Sequence, residues 1–179
     1  MILSDHTLTG LAMGGLVQPF IQENVQGSSI DLTLGGSIKI EAPMLENGDL
    51  TKVQWDTQPI DGDPYYMAPG EFILAHTEAT ITIPEGCAAM VLLRSSAARA
   101  GYEHSLAGWC DPGFTGQLTL ELRNNCRFHH LPVQAGMRLC QLIVHRLDER
   151  AVNHYGVRGN YQGQTGVTAS NDNFTREAA

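Results

Sequence analysis

Leu118 to Arg123 reads LTLELR, and the alternation in that stretch decides the fold class. Along an extended chain, side chains point to opposite faces in turn. Leu118, Leu120 and Leu122 therefore face one way, and Thr119, Glu121 and Arg123 face the other. The pattern predicts a strand with one apolar face. Working outward, Gly27 to Leu34 (GSSIDLTL) sets Ile30, Leu32 and Leu34 against Asp31 and Thr33, a half-buried strand. Ser37 to Ile40 follows as a short strand after Gly35-Gly36. Phe72 to His76 and Thr80 to Ile83 read as two strands, the second closed by Pro84-Glu85-Gly86. Ala88 to Leu93 is almost continuously apolar, which predicts a central strand, and Arg138 to Leu147 is another long candidate. Ser4 is placed to cap a short helix over Asp5 to Met13, ended by Gly14-Gly15. Ser95 to Ala100 has room for only one or two helical turns. Many short strands between glycine and proline turns predict an all-β barrel or sandwich.

Two stretches lack this periodicity. Glu41 to Pro69 is rich in Gly, Asp and Pro and reads as loops, with an edge strand near Val53 to Trp55. Asp148 to Ala179 is rich in Gly, Asn, Gln and Thr, and left alone should be mobile. It is either a frayed terminus or a flap that orders over a ligand. Its GNYQGQTG segment offers a ring to stack on a base, amides to bond it and glycines to bend around it. The expected division is a β domain over residues 1–150 and a closing tail over 151–179.

A chain of 179 residues fits one domain with a real core. Its net charge of -8 argues against a nucleic-acid binder. A small anion held by a few arginines, with a divalent metal carrying part of the charge, remains open. Cys87, Cys110, Cys126 and Cys140 form no CxxC pair, and the start has no basic segment followed by a long apolar run. Both features predict reduced thiols, packed as small hydrophobes, in a cytoplasmic protein. No apolar stretch is long enough to cross a membrane, and there is no repeat or heptad.

His76-Thr77-Glu78 is an H-x-E, the first half of a zinc nucleobase-deaminase signature, but the required P-C-x-x-C is missing. The wide cysteine spacing supports no zinc knuckle either, so no zinc is expected and His76 reads as an end-of-strand residue. There is no G-x-S-x-G elbow and no Walker A lysine. The polar set that remains is Arg94, Ser95, Ser96, Arg99, His104, Asp111, Thr119 and Glu121. Arg94 and the serines directly follow the central strand, where backbone N–H groups, hydroxyls and a guanidinium can cradle phosphate. Asp111 is either a plain turn residue or a site carboxylate. Glu121 is either part of a solvated strand face or an acid–base group held by a rigid element.

Taken together, these segments resemble the dCTP deaminase branch of the dUTPase-like superfamily, nearly end to end. The resemblance is carried in order by SSIDLTLG (Ser28 to Gly35), RSSAARAG (Arg94 to Gly101), AGWCDPGFTGQLTLEL (Ala107 to Leu122), PVQAGMRLCQL (Pro132 to Leu142) and YQGQTGVTAS (Tyr161 to Ser170). It implies a distorted jelly-roll of the dUTPase-like type, assembled as a homotrimer with active sites between subunits. The implied substrate is dCTP with magnesium on its triphosphate, deaminated at C4 without zinc to dUTP and ammonia. The alternatives are a bifunctional enzyme that carries dUTP on to dUMP and diphosphate, and a dUTP diphosphatase alone. By resemblance Glu121 is the proton shuttle, with Ser95 and Arg99 at the attacking water and Asp111 near the deoxyribose. Arg94 and Ser96 contact the triphosphate, Ala107 and Trp109 belong to the substrate-binding segment, and Tyr161 and Gln164 close over the nucleotide.

Two departures bear on that reading. Purely deaminating relatives often read A-H-R-I-D where this chain has Ala107-Gly108-Trp109-Cys110-Asp111, which is closer to the bifunctional pattern. Gly108 is read as leaving space beside the sugar and Trp109 as packing the turn that holds Asp111. A lysine often precedes the tail tyrosine, whereas Asn160 stands here, with Arg158 nearby as a substitute charge.

Overall fold

The computed structural model describes residues 1–43, 53–105 and 107–171. Its elements run α1 (Asp5–Leu11), β1 (Val17–Gln18), β2 (Ile30–Thr33), β3 (Ser37–Glu41), β4 (Trp55–Pro59), β5 (Tyr65–Met67), β6 (Phe72–Thr82) and β7 (Cys87–Leu93). Then follow α2 (Ser95–Ala100), β8 (Tyr102–Glu103), β9 (Trp109–Cys110), β10 (Thr115–Asn124), β11 (Leu131–Val133), β12 (Arg138–Arg146) and α3 (Tyr155–Arg158). The strands form antiparallel sheets in the orders β4-β3-β6-β10-β8, with β1 added to β6, and β2-β12-β7-β9, plus the pair β11-β5. The sheets do not close into a barrel, so the fold is a distorted β structure with a short N-terminal helix. Ile38, Ile73 and Leu120 of the first sheet and Ile30, Leu142 and Val144 of the second belong to one buried cluster.

LTLELR lies in β10, and Leu120 and Leu122 are buried as the alternation requires. Leu118 is buried in step with them, although the strand is irregular at that point. The register between β10 and β6 shifts between Gln117 and Thr119, the mark of a bulge, and bulges re-aim side chains. The irregular backbone stays satisfied: the Leu118 N–H donates to Thr77 Oγ1 at 2.9 Å, and that hydroxyl donates to the Ala79 carbonyl at 2.8 Å. The two strands expected over Phe72 to Ile83 are one continuous strand, because β10 pairs along it from Phe72 to Thr82. His76 is therefore mid-strand and buried. Its Nδ1 lies 2.9 Å from the Thr77 carbonyl and its Nε2 lies 3.3 Å from Ser37 Oγ. Gly35 is needed beside it, since a Cβ there would stand 2.0 Å from the ring.

Other expectations shift less. The strand expected to be half-buried is buried at Ile30, Asp31 and Leu32 alike; β12 pairs along its edge, and Asp31 finds cationic partners. Ser4 stands at the N-cap of α1 but its side chain makes no capping bond, and the helix runs on through a kinked turn at Ala12–Leu16. The edge strand expected near Val53 forms instead as β4, two residues later. Residues 44–52 of the expected loop and 172–179 of the expected tail lie outside the described residues. The four cysteines are free thiols, three buried and Cys126 half-buried. No helix among the described residues is long and apolar enough to cross a membrane.

The tail is packed rather than frayed over its described length. β8 pairs with β10 only at Arg123 and Asn124, which leaves the rest of that edge open. The tail covers it. Tyr155 N–H donates to the Pro112 carbonyl at 2.7 Å, Gly163 N–H to Thr115 at 2.7 Å, and Gln117 N–H to the Gln164 carbonyl at 2.9 Å. Phe114 and Tyr155 meet edge to face with ring centres 5.5 Å apart. An open strand edge is a liability, and this one is capped by the chain's own end.

Candidate active site

β10 carries Glu121 directly opposite Leu74 of β6, on the face of the sheet away from Leu120 and Leu122. Glu121 is half-buried, and its Oε2 is enclosed without a hydrogen-bond partner. Burial pushes its carboxyl above the usual carboxylate range, and a bond from its own backbone N–H offsets this only in part. Cys140 lies close enough to feel that carboxylate: burial first, then the Glu121 charge, push its thiol up to about 12. It stays a neutral packing group at ordinary pH.

Glu121 opens into a cavity of about 660 Å³. Thr119 and the bulged Leu118 stand beside it on β10, and Phe72, Leu74 and Trp55 supply an apolar floor. This floor desolvates the carboxylate. Across the space lie Ala107, Trp109, Cys110 and Asp111, and the tail closes one side with Tyr161, Gln164 and Thr168. The Asp111 carboxylate is exposed to the cavity at the start of the Asp-Pro-Gly turn. Trp109 donates its indole N–H to Asp111 Oδ1 at 3.0 Å, so the ring holds the carboxylate as well as lining the space. Cys110 between them is buried, and burial together with the Asp111 charge pushes its thiol up to about 12.

Gly108 does not leave space beside a ligand. It is buried against β7, its carbonyl accepts from Val91 N–H at 2.7 Å, and a Cβ on it would stand 2.2 Å from the Val91 carbonyl oxygen. The glycine of the Ala-Gly-Trp run is demanded by backbone packing, and the exposed aromatic after it faces the cavity.

The structure brings Glu121, Asp111, Thr119, Ala107, Trp109, Tyr161 and Gln164 to one cavity. Arg94, Ser95, Ser96, Arg99 and His104 do not line it. Ser95, Ser96 and Arg99 are exposed at α2. His104 is buried with its Nε2 unpartnered, and burial lowers its pKa. Arg94 Nε stands 3.3 Å from Asp31 Oδ2, and Arg138 Nη1 stands 3.7 Å from the same oxygen. Asp31 is the residue that the sequence reading missed. Its signal was a carboxylate between Ile30 and Leu32 in a strand whose two faces are both covered. Thr168 was missed as well: it is tied to Thr119 by a bond of 3.3 Å from its N–H to Thr119 Oγ1, a contact no local pattern encodes. Among the described residues, no group of three His, Cys, Asp or Glu side chains could hold a metal ion.

An antiparallel β fold places a desolvated glutamate and an exposed aspartate on one cavity, a set whose chemistry suits proton transfer on a small ligand. A family model for dCTP deaminase-like domains matches residues 2–147, and the chain belongs to that family. A protein of Thermobifida fusca (strain YX) is 38% identical over 194 residues, covering 98% of this chain and 96% of its own. One of Persephonella marina is 38% identical over 176 residues, covering 95% and 96%. Both carry the name "dCTP deaminase, dUMP-forming". The crystal structure of a 2'-deoxycytidine 5'-triphosphate deaminase from Agrobacterium tumefaciens aligns with a TM-score of 0.65 at 19% identity, over 80% of this chain. The chain spans 47% of that protein's length, and the likeness is one of fold. The relatives' names correct one expectation. A reaction that ends at dUTP does not match proteins named for forming dUMP.

Proposed function

We propose that the chain is a dCTP deaminase that carries its substrate through to dUMP, with release of ammonia and diphosphate. The observation that carries the reading is the desolvated, unpartnered carboxylate of Glu121 on a rigid strand, facing the same cavity as Asp111. A carboxyl whose pKa is raised by burial can both take up and give back a proton during the reaction. Glu121 takes one proton from water as the water attacks cytosine C4 and gives it to N3; it then takes the remaining proton from the new C4 hydroxyl and passes it to the departing amine. Ammonia leaves and the carbonyl of uracil forms. In the second step water attacks the α-phosphorus and diphosphate leaves. Asp111, held by Trp109, accepts that water's proton, and the magnesium that enters as part of the nucleotide substrate carries the charge on the leaving diphosphate.

The remaining parts of the site follow the family resemblance and are proposed with it. Ser95 and Arg99 place the first water, and Arg94 and Ser96 hold the triphosphate, with Asp31 holding Arg94. These groups lie away from the Glu121 cavity of their own chain, so they are supplied by a second copy in a homotrimer. Residues 1–150 act as the catalytic β domain and 151–179 as the tail over the nucleotide. The deciding experiment separates the products formed from dCTP and, independently, from dUTP in the presence of magnesium. The reading expects dUMP and diphosphate from dCTP. Accumulated dUTP with no dUMP at long times overturns it.

A further inference from the structure

Gln117 lies one step before the break in the β10–β6 register and does not line the cavity. Its four polar groups are nevertheless all engaged. Its backbone N–H donates to the Gln164 carbonyl at 2.9 Å. Its backbone carbonyl accepts from Gln164 Nε2 at 2.6 Å. Its side-chain Oε1 accepts from Gly166 N–H at 2.6 Å, and its Nε2 donates to the Glu78 carbonyl at 2.8 Å. Three of these bonds reach the tail, and the fourth anchors the side chain to β6. Gly116 lets the tail come this close, since a Cβ there would stand 3.0 Å from the Gln164 carbonyl oxygen. The attachment at Thr119 is looser, with both of its bonds to Thr168 at 3.3 to 3.4 Å.

The tail held in this way puts Gln164 and Thr168 into the cavity. Any residue at 117 would make the two backbone bonds. Only a side chain that donates from one end and accepts at the other can bridge Gly166 to Glu78, and among side chains of this length that means the amide. We infer that Gln117 is a positioning residue that latches the tail over the cavity between the two chemical steps, so that dUTP formed at Glu121 is hydrolysed before it can leave. This rests on the two-step reading of the function. After the first water replaces the amine, the nucleotide must stay while a second water attacks phosphorus. Whether it stays depends on the rate of hydrolysis against the rate at which the tail opens. Lids held by a few hydrogen bonds open locally without global unfolding, and each bond removed raises the open population.

The test uses the full chain and the variants Gln117→Ala and Gln117→Glu, read in two ways. The first is amide hydrogen exchange over residues 162–168 without nucleotide. Gln117→Ala loses both side-chain bonds and is expected to exchange about tenfold faster there, as two bonds of ordinary worth would give. Gln117→Glu keeps an acceptor for Gly166 but sets a carboxylate against the Glu78 carbonyl, so it falls between. The second is turnover of labelled dCTP with an excess of unlabelled dUTP as a trap. The ratio of free labelled dUTP to labelled dUMP is expected to rise at least about threefold in Gln117→Ala, with Gln117→Glu again between. A merely structural residue would slow both products together and leave that ratio alone. Unchanged exchange in Gln117→Ala overturns the latch. Faster exchange with the parent's product ratio overturns its link to the second step. A parent enzyme that forms no dUMP overturns the proposed function and that link together, and the exchange measurement then decides the latch by itself.

Discussion

At Glu121 an uncharged amide of the same shape separates proton transfer from binding. Glu121→Gln should keep the nucleotide but lose deamination by about 10²-fold or more, read as ammonia release, because an amide cannot accept and return the proton. The raised pKa adds a stability prediction with a definite sign. A carboxyl whose folded pKa lies above its unfolded value favours folding fully only while it is protonated, and that contribution is lost as pH rises through the folded pKa. Glu121→Gln carries no such cost. It should melt above the parent at neutral pH, and the difference should vanish on acidification below the ordinary carboxylate range. A difference that grows in acid would show that Glu121 is instead stabilised as the anion. Asp111→Asn should cut dUMP formation more than ammonia release. Equal losses would leave Asp111 a binding residue in both steps. The alternation in LTLELR put Glu121 on the correct face but left open whether that face is wet. What decides it is the floor of Trp55, Phe72 and Leu74, residues dozens of positions away in the chain. A local period carries no record of them.

The elements divide the polar set by a simple rule: β10 and the turn before it feed the cavity, whereas β2 and α2 build a separate cationic corner. Asp31 joins that corner, since one nearly enclosed carboxylate oxygen faces both Arg94 and Arg138. Asp31→Asn removes the charge while keeping the shape. The two guanidiniums are one-third to nearly half exposed, so water replaces part of what is lost and the melting temperature should fall only modestly. Arg94 then loses its fixed direction. KM for dCTP should rise about tenfold with kcat much less affected, since a phosphate-holding arginine binds ground and transition states alike. A collapse of kcat at unchanged KM would sink that assignment. The elements legible in the sequence are those long enough to show a pattern: β7, β10 and β12 were anticipated, and β6 was read as two strands that the structure joins into one. β5, β8, β9 and β11 have only two or three residues each, too few to display alternation. The tail was legible in composition but not in position. Its hold on β10 runs through backbone groups and amides such as Gln164 and Gln117, which carry no hydrophobic signal.

At the scale of the whole molecule, Glu121 and Asp111 share a cavity that Ser95 and Arg99 of the same chain do not line, although the proposed chemistry needs them all at one nucleotide. A ring of three copies, each offering its α2 to the next copy's cavity, satisfies both facts. Subunit mixing tests this more sharply than mass alone. Glu121→Gln chains lack the proton shuttle, and Arg99→Ala chains lack the group proposed to place the water, so each homotrimer should be nearly inactive. In a mixed ring, a site works where the Glu121 comes from an Arg99→Ala chain and the Arg99 from a Glu121→Gln neighbour. Every mixed ring has one such junction in a given direction. Random reassembly at equal amounts should therefore revive roughly a quarter of the sites, by cyclic symmetry. Ammonia release should recover to about that share of the parent rate after the two variants are unfolded together and refolded. Refolding them apart and then combining them should recover far less while the rings stay intact. If joint refolding gives mixed trimers by mass and still no activity, Ser95 and Arg99 do not reach a neighbour's cavity, and the division of the site between copies is wrong.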